Sequence, residues 1–118
     1  MKTELYKNQV QEKVAASMLD YLSEDEECGY SKKDVQRCEK LLSEYLDKLS
    51  KLEKPTDKTI MEQVKKTVLA LNKLNEKTDY CLIETDAREE IWQIIQNAAI
   101  ECGLSSPSDD ITEQWREW

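Results

Sequence analysis

Ser31-Lys32-Lys33-Asp34-Val35-Gln36-Arg37-Cys38-Glu39-Lys40-Leu41-Leu42-Ser43-Glu44-Tyr45-Leu46-Asp47-Lys48-Leu49-Ser50-Lys51-Leu52-Glu53 is the stretch that decides the fold. Val35, Cys38, Leu41, Leu42, Tyr45, Leu46, Leu49 and Leu52 recur at spacings of three and four, so they form one continuous stripe on a helix. Lys and Glu fill the other faces. Ser31 stands where an N-cap is wanted, and Asp34 three residues later completes a box-like start. A helix over 32–53 follows. It must bury its stripe against other helices, because nothing else in the chain offers a partner layer.

Outward from this helix the same period repeats. Tyr6, Val10, Val14, Met18, Tyr21 and Leu22 predict a first helix over 3–22. The acidic run Glu24-Asp25-Glu26-Glu27 opposes the macrodipole at its end. On the other side, Pro55 disfavours helical geometry at Lys54. Thr56 or Asp57 then caps a third helix over 57–77, with Ile60, Met61, Val64, Val68, Leu71 and Leu74 as its stripe and Thr67 and Asn75 at its edges. The short connection predicts antiparallel packing of the second and third helices. Leu82 and Ile83 tuck under the end of the bundle. Thr85 or Asp86 caps a fourth helix over 86–102. Ile91, Trp92, Ile94, Ile95, Ala98, Ala99 and Cys102 are its apolar positions, and Gly103 is its C-terminal cap. After Pro107, Ser108-Asp109-Asp110 caps a short terminal helix whose Trp115 and Trp118 fold back near Trp92 and Ile95. The expectation is all-α: an antiparallel helical bundle of four main helices plus a short C-terminal helix, one domain over 1–118.

Composition removes whole classes of chemistry. The chain of 118 residues has no His, no Phe and only two Gly. Without His there is no Ser-His or Cys-His nucleophile pair and no Glu-x-x-His di-iron site. Two glycines cannot build a phosphate-cradling loop. The cysteines at 28, 38, 81 and 102 are separated by 10, 43 and 21 residues, so no C-x-x-C pair exists for zinc. Cys38 and Cys102 fall on apolar faces and read as buried thiols. Glu84, Asp86, Glu89 and Glu90 cluster at one helix start, where capping already explains them; Mg²⁺ would also want phosphates there. No cofactor and no metal are expected. The N-terminus shows no leader and no segment approaches membrane-spanning length, so the chain reads as cytoplasmic with reduced cysteines.

Charge is distributed unevenly. Residues 1–78 carry 15 acidic and 15 basic groups, whereas 79–118 carry 10 acidic and two basic, so the net −8 belongs to the last third. Such a field repels nucleic acid and anionic membrane and speeds encounter with a basic partner. The lysines at 32, 33, 40, 48, 51, 54, 58, 65, 66, 73 and 77 are interleaved with acids and read as a solvated surface with i,i+4 ion pairs. On the fourth helix Asp86, Glu90, Gln93, Asn97 and Glu101 share the face opposite the apolar one. With Asp79, Glu84 and Glu89 they form the candidate partner-binding face.

Leu71-Asn72-Lys73-Leu74-Asn75, then Leu82-Ile83-Glu84-Thr85-Asp86-Ala87-Arg88-Glu89, then Asp110-Ile111-Thr112 and Trp115-Arg116-Glu117-Trp118 resemble a family of small acidic helical bacterial proteins of unknown function. The resemblance covers roughly residues 33–118 and implies a bacterial cytosolic domain without an assigned activity. The helix order and the Glu84-Thr85-Asp86 junction are also similar, more weakly, to helical immunity proteins against type VI secretion toxins. The leading expectation is therefore a non-enzymatic protein-binding domain, an immunity or antitoxin-type inhibitor that occludes a basic protein partner such as a toxin. A carboxylate-based enzyme or small-ligand carrier is the alternative, and a homo-oligomeric helical scaffold the third reading.

Overall fold

The computed structural model describes residues 2–24, 29–105 and 110–118, with Ser23 and Glu24 as backbone only. The fold is all-α, and no strand occurs among the described residues. Four long helical segments carry it. Helix α1 runs over 3–24 without a break, as an α-helix Thr3–Gln9, a π-helix Val10–Ala15 and an α-helix Ala16–Glu24. Helices α2 (Lys32–Ser50), α3 (Asp57–Lys77) and α4 (Thr85–Cys102) follow. No helix among the described residues is long and apolar enough to cross a membrane.

The π segment has a cause in the spacing of α1. Tyr6, Val10, Val14 and Met18 are all buried and lie four residues apart. In an α-helix each such step overshoots a full turn by about 40°, so three steps would carry the stripe off the core. A π turn rotates less per residue and takes the overshoot back. The Ala16 N–H accordingly bonds to the carbonyl five residues earlier, at Gln11. Tyr21, expected in the stripe, lies about 60° round the helix from Met18 and is 51% exposed; Leu22 takes the inner position, half-buried.

The helix starts follow the expected chemistry in two of three cases. Ser31 caps α2, its N–H donating to Asp34 Oδ2 at 2.9 Å. Thr56 caps α3, with its Oγ1 accepting from the Thr59 N–H at 3.2 Å while the Thr56 N–H donates to Thr59 Oγ1. At α4 the N-cap is Glu84, without a side-chain cap bond, rather than Thr85 or Asp86. Helix ends are closed by paired backbone bonds. After α4, Leu104 N–H bonds to Ala99 O and Gly103 N–H to Ile100 O, both at 3.0 Å, with Gly103 at φ +121°. After α3 the same pair of bonds forms from Tyr80 to Asn75 and from Asp79 to Glu76. Here Asp79 (φ 59°) and Tyr80 (φ 62°) enter the left-handed region that glycine usually fills. Gly29 lies against this corner; a Cβ on it would come 2.9 Å from the Thr78 carbonyl oxygen.

The core joins all four helices. Val35, Cys38, Leu42, Leu46 and Leu49 of α2 meet Ile60, Val64, Val68 and Leu71 of α3 and Ile91, Ile95, Ala98 and Ala99 of α4, all nearly or fully buried. Leu82 and Ile83 are buried under the α3–α4 corner, as expected. Two asparagines tie the chain to itself there. Asn75 Oδ1 accepts from the Ile83 N–H at 3.0 Å. Asn72 donates to the Trp115 carbonyl at 2.8 Å and accepts from the Glu117 N–H at 3.0 Å.

The terminal helix expected after Asp110 is replaced by turns over 111–115. Nine described residues at this end are too few to sustain a helix alone. Three of their N–H groups are taken by side chains, Ile111 donating to Gln96 Oε1, Thr112 to Asp110 Oδ1 and Glu117 to Asn72, while those of Glu113, Trp115 and Arg116 turn back to the Asp110 and Thr112 carbonyls. Asp110 is therefore a local cap, and it also pairs with Arg116 at 3.1 Å. Pro107, Ser108 and Asp109, like Asp25, Glu26, Glu27 and Cys28, lie outside the described residues. Trp115 and Trp118 are half-buried against the core. Cys38 is fully buried, and burial pushes its thiol up to about 12. Cys102, expected to be buried, is half-buried, with Sγ 3.6 Å from the Leu49 carbonyl.

Candidate partner-binding surfaces

Helix α4 buries Ala87, Ile91, Ile94, Ile95, Ala98 and Ala99. The remaining positions must therefore face outward. Asp86, Glu89, Gln93, Asn97 and Glu101 are exposed and Glu90 is half-buried, which places the α4 members of the candidate set along one side. Glu84 is exposed at the start of the same helix, and Asp79 is exposed in the left-handed corner before it.

The set divides by what its carboxylates do. Glu101, though exposed, is tied to the start of α1: it accepts from Tyr6 Oη and, at 3.0 Å, from the Lys2 N–H. The bond from Tyr6 is the main reason its carboxyl is held below the usual value. Tyr6 in turn is pushed up to about 12, first by burial and then by that bond and the Glu101 charge. The Asn97 carbonyl accepts a longer bond, 3.4 Å, from the same phenol. Glu89 accepts from Trp92 Nε1 at 2.9 Å, with the Arg88 Nε 3.9 Å away. The side-chain carboxylates of Glu84, Asp86 and Glu90 have no hydrogen bond or ion pair among the described residues. The contact of Tyr6 with Glu101 joins residues 95 apart in the chain, so no local pattern announces it.

The linkage of Glu101 to folding has a definite sign. A carboxyl whose folded value is lowered stabilises the fold above its ordinary range near 4.5 and loses that contribution as pH falls through the folded value. Tyr6, raised when folded, contributes below about pH 10 and loses it as pH rises toward about 12. In Glu101→Gln the fall in melting temperature between about pH 5 and about pH 3 is expected to be smaller than in the wild type. Equal falls would show that this carboxylate does not couple to folding.

Beside the free acids lies a cleft of about 220 Å³. Ser17, Met18 and Tyr21 of α1 form one wall, and Glu84, Thr85, Asp86 and Ala87 at the start of α4 form the other. Leu82 and Tyr30 close it, the latter buried with its Oη donating to the Met18 carbonyl at 2.7 Å. The exposed Tyr21 ring stands at the rim, although its spacing predicts a core position. The cleft therefore has apolar and aromatic surfaces below two unpaired carboxylates. Among the described residues no three carboxylate or thiol groups lie close enough together to hold a metal ion.

The basic side of the molecule differs from its expected form. Among the described residues the ion pairs are Lys7–Asp47, Arg88–Glu89 and Arg116–Asp110. None uses a lysine of α2 or α3, although Glu44 and Lys48, or Glu62 and Lys66, have the spacing for one. Such exposed pairs gain only a few tenths of a kcal/mol and cost side-chain freedom. The lysines stay separate, and their charge is not cancelled at short range.

Compared with known proteins, the chain matches no family model, no curated protein and no solved structure.

Proposed function

We propose that this protein is a non-catalytic binding module of the bacterial cytoplasm that occludes a basic protein partner through the acidic side of its C-terminal third. The cleft between the end of α1 and the start of α4 takes a cationic side chain of that partner. The carrying observation is the pair Glu84 and Asp86: exposed, unpaired among the described residues, and set over the apolar floor of Met18, Leu82 and Ala87. A Lys or Arg buries its aliphatic stem on such a floor and presents its charge to the rim. The exposed Tyr21 ring offers a face for the same cation. Asp86, Glu90 and Gln93 extend the contact along α4, while Glu101 serves the fold rather than the partner.

The reading takes the helices as an antiparallel bundle. Its support is that Lys2 and Tyr6 at the start of α1 bond to the end of α4, while Ser17 and Met18 near its end share the cleft with Ala87. The likeness of the Glu84-Thr85-Asp86 junction to type VI secretion immunity proteins points to the same mode of action, occlusion of a toxin.

Co-purification from the native host supplies the partner, and stopped-flow association with it supplies the test. The Glu84→Lys/Asp86→Lys variant is expected to associate about tenfold more slowly than wild type, and the wild-type rate to fall steeply with salt. A rate that ignores both the reversal and the salt sinks the acidic-face reading. Capture of a small amine in place of a protein would favour a ligand carrier.

A further inference from the structure

Opposite in sign to the acidic side is a groove between α2 and α3. Two hollows of about 200 and 120 Å³ lie along it, sharing Leu41 and Ala70, and a third of about 270 Å³, lined by Arg37, Lys40, Leu41 and Glu44, opens on the α2 flank beside them. Its α2 wall takes positions 37, 41, 44, 45 and 48, with 40 on the adjoining flank, and its α3 wall positions 63, 66, 67, 70, 73, 74 and 77. Both series keep the three-and-four spacing of a single helix face. The groove therefore follows the helix pair for roughly 15–20 Å, about three turns.

Its lining is graded. Leu41 and Ala70 are half-buried, and Leu74 and Tyr45 are buried beneath them, so the floor is apolar. Arg37, Lys40, Lys48, Lys66, Lys73 and Lys77 stand exposed along the walls, and Glu44 is the one acid among the lining residues. None of the six cations is in an ion pair among the described residues. Along about 20 Å each cation repels its near neighbours, about one helical turn away and inside the screening length of roughly 8–10 Å, and an anionic occupant relieves that repulsion.

We propose that this groove docks an acidic amphipathic helix of another protein. The apolar stripe of that helix lies on Leu41, Ala70 and Leu74, and its carboxylates face the six cations. A straight groove three turns long over an apolar floor has the form that receives a helix through anchors at i, i+3/i+4 and i+7. A nucleic acid fits less well, because the floor offers no exposed aromatic platform for bases. The groove is made by α2 and α3 and shares no residue with the cleft at α4, so the protein carries two binding surfaces of opposite sign.

The test uses the full chain and a fluorescein-labelled synthetic helix of about 20 residues, with Leu at the a and d positions of each heptad and Glu at most others. Binding in the micromolar range is expected, weakened about tenfold or more both by raising salt from about 50 to about 500 mM and by Lys40→Glu/Lys73→Glu. Amide shifts in the bound protein should concentrate in 37–48 and 63–77. Glu84→Lys/Asp86→Lys should leave this affinity unchanged, which separates failure here from failure of the acidic-face reading. If the double reversal does not fold, as judged by circular dichroism, Lys40→Gln/Lys73→Gln replaces it. No binding of the peptide, equal binding by its Glu→Gln counterpart, binding indifferent to the Lys40 and Lys73 changes, or tighter binding of a DNA duplex of about 20 base pairs would each overturn the proposal.

Discussion

Tyr45→Ala is expected to cost about 3–5 kcal/mol of folding stability, a large fraction of what a domain this size holds. Tyr45 is 1% exposed and joins two helices. Its ring packs in the core of α2, and its Oη donates to the Ile95 carbonyl of α4 at 2.8 Å. Burial holds the phenol far above its ordinary value, so it stays neutral and always able to donate. Tyr45→Phe removes the hydrogen bond alone and should cost only about 1 kcal/mol. The difference between the two variants, read from urea denaturation, isolates the packing contribution. A loss below about 1 kcal/mol for Tyr45→Ala would mean the site collapses around the cavity, and that α2 and α4 do not depend on this ring.

The second large effect is at Asn72. One buried amide serves two backbone groups of the C-terminal tail, the Trp115 carbonyl and the Glu117 N–H. Asn72→Ala leaves both without their partner, at about 2–4 kcal/mol if they stay buried. The tail avoids that cost by peeling away, so the loss of stability is capped at what tail docking contributes. Two readouts distinguish the outcomes. Tryptophan emission should shift to the red as Trp115 and Trp118 meet water. A chain ending at residue 109 should melt near Asn72→Ala, and adding Asn72→Ala to it should change little, because residues in one network are not additive. An unchanged emission spectrum would show that the tail is held by its side-chain packing alone.

Much of this architecture was legible from spacing. The stripes predicted helices over 3–22, 32–53, 57–77 and 86–102, against segments over 3–24, 32–50, 57–77 and 85–102. Ser31, Thr56 and Gly103 marked their ends because capping is chemistry of three or four neighbouring residues. What escaped is of another kind. The bonds of Asn72 and Gln96 to the tail, and of Tyr6 to Glu101, join distant parts of the chain and depend on which helices meet. Asn75, read as an edge residue, is buried because it holds the Ile83 N–H. The left-handed pair Asp79–Tyr80 escaped because neither residue type announces that geometry as glycine does. The basic groove escaped because interleaved Lys and Glu in the chain look balanced, whereas the faces of α2 and α3 that line it gather six cations and one acid. Of the candidate site, the position of the acids along α4 was readable; that Glu101 is occupied, and that Tyr21 opens a cleft beside Asp86, was not.

The π segment of α1 bears on how this chain can change length. A π turn holds one more residue than the α turn it replaces, so Val10–Ala15 is a helix that has absorbed an insertion without breaking. Deleting one of the exposed residues Gln11, Glu12 or Lys13 would let the segment relax into ordinary α geometry, while Tyr6 on one side and Met18 on the other kept their inward direction. Length variation inside a helix is usually ruinous, because every later residue turns by about 100°. Here it is nearly silent. In this fold α1 is therefore where a helix can change its length around one unchanged core.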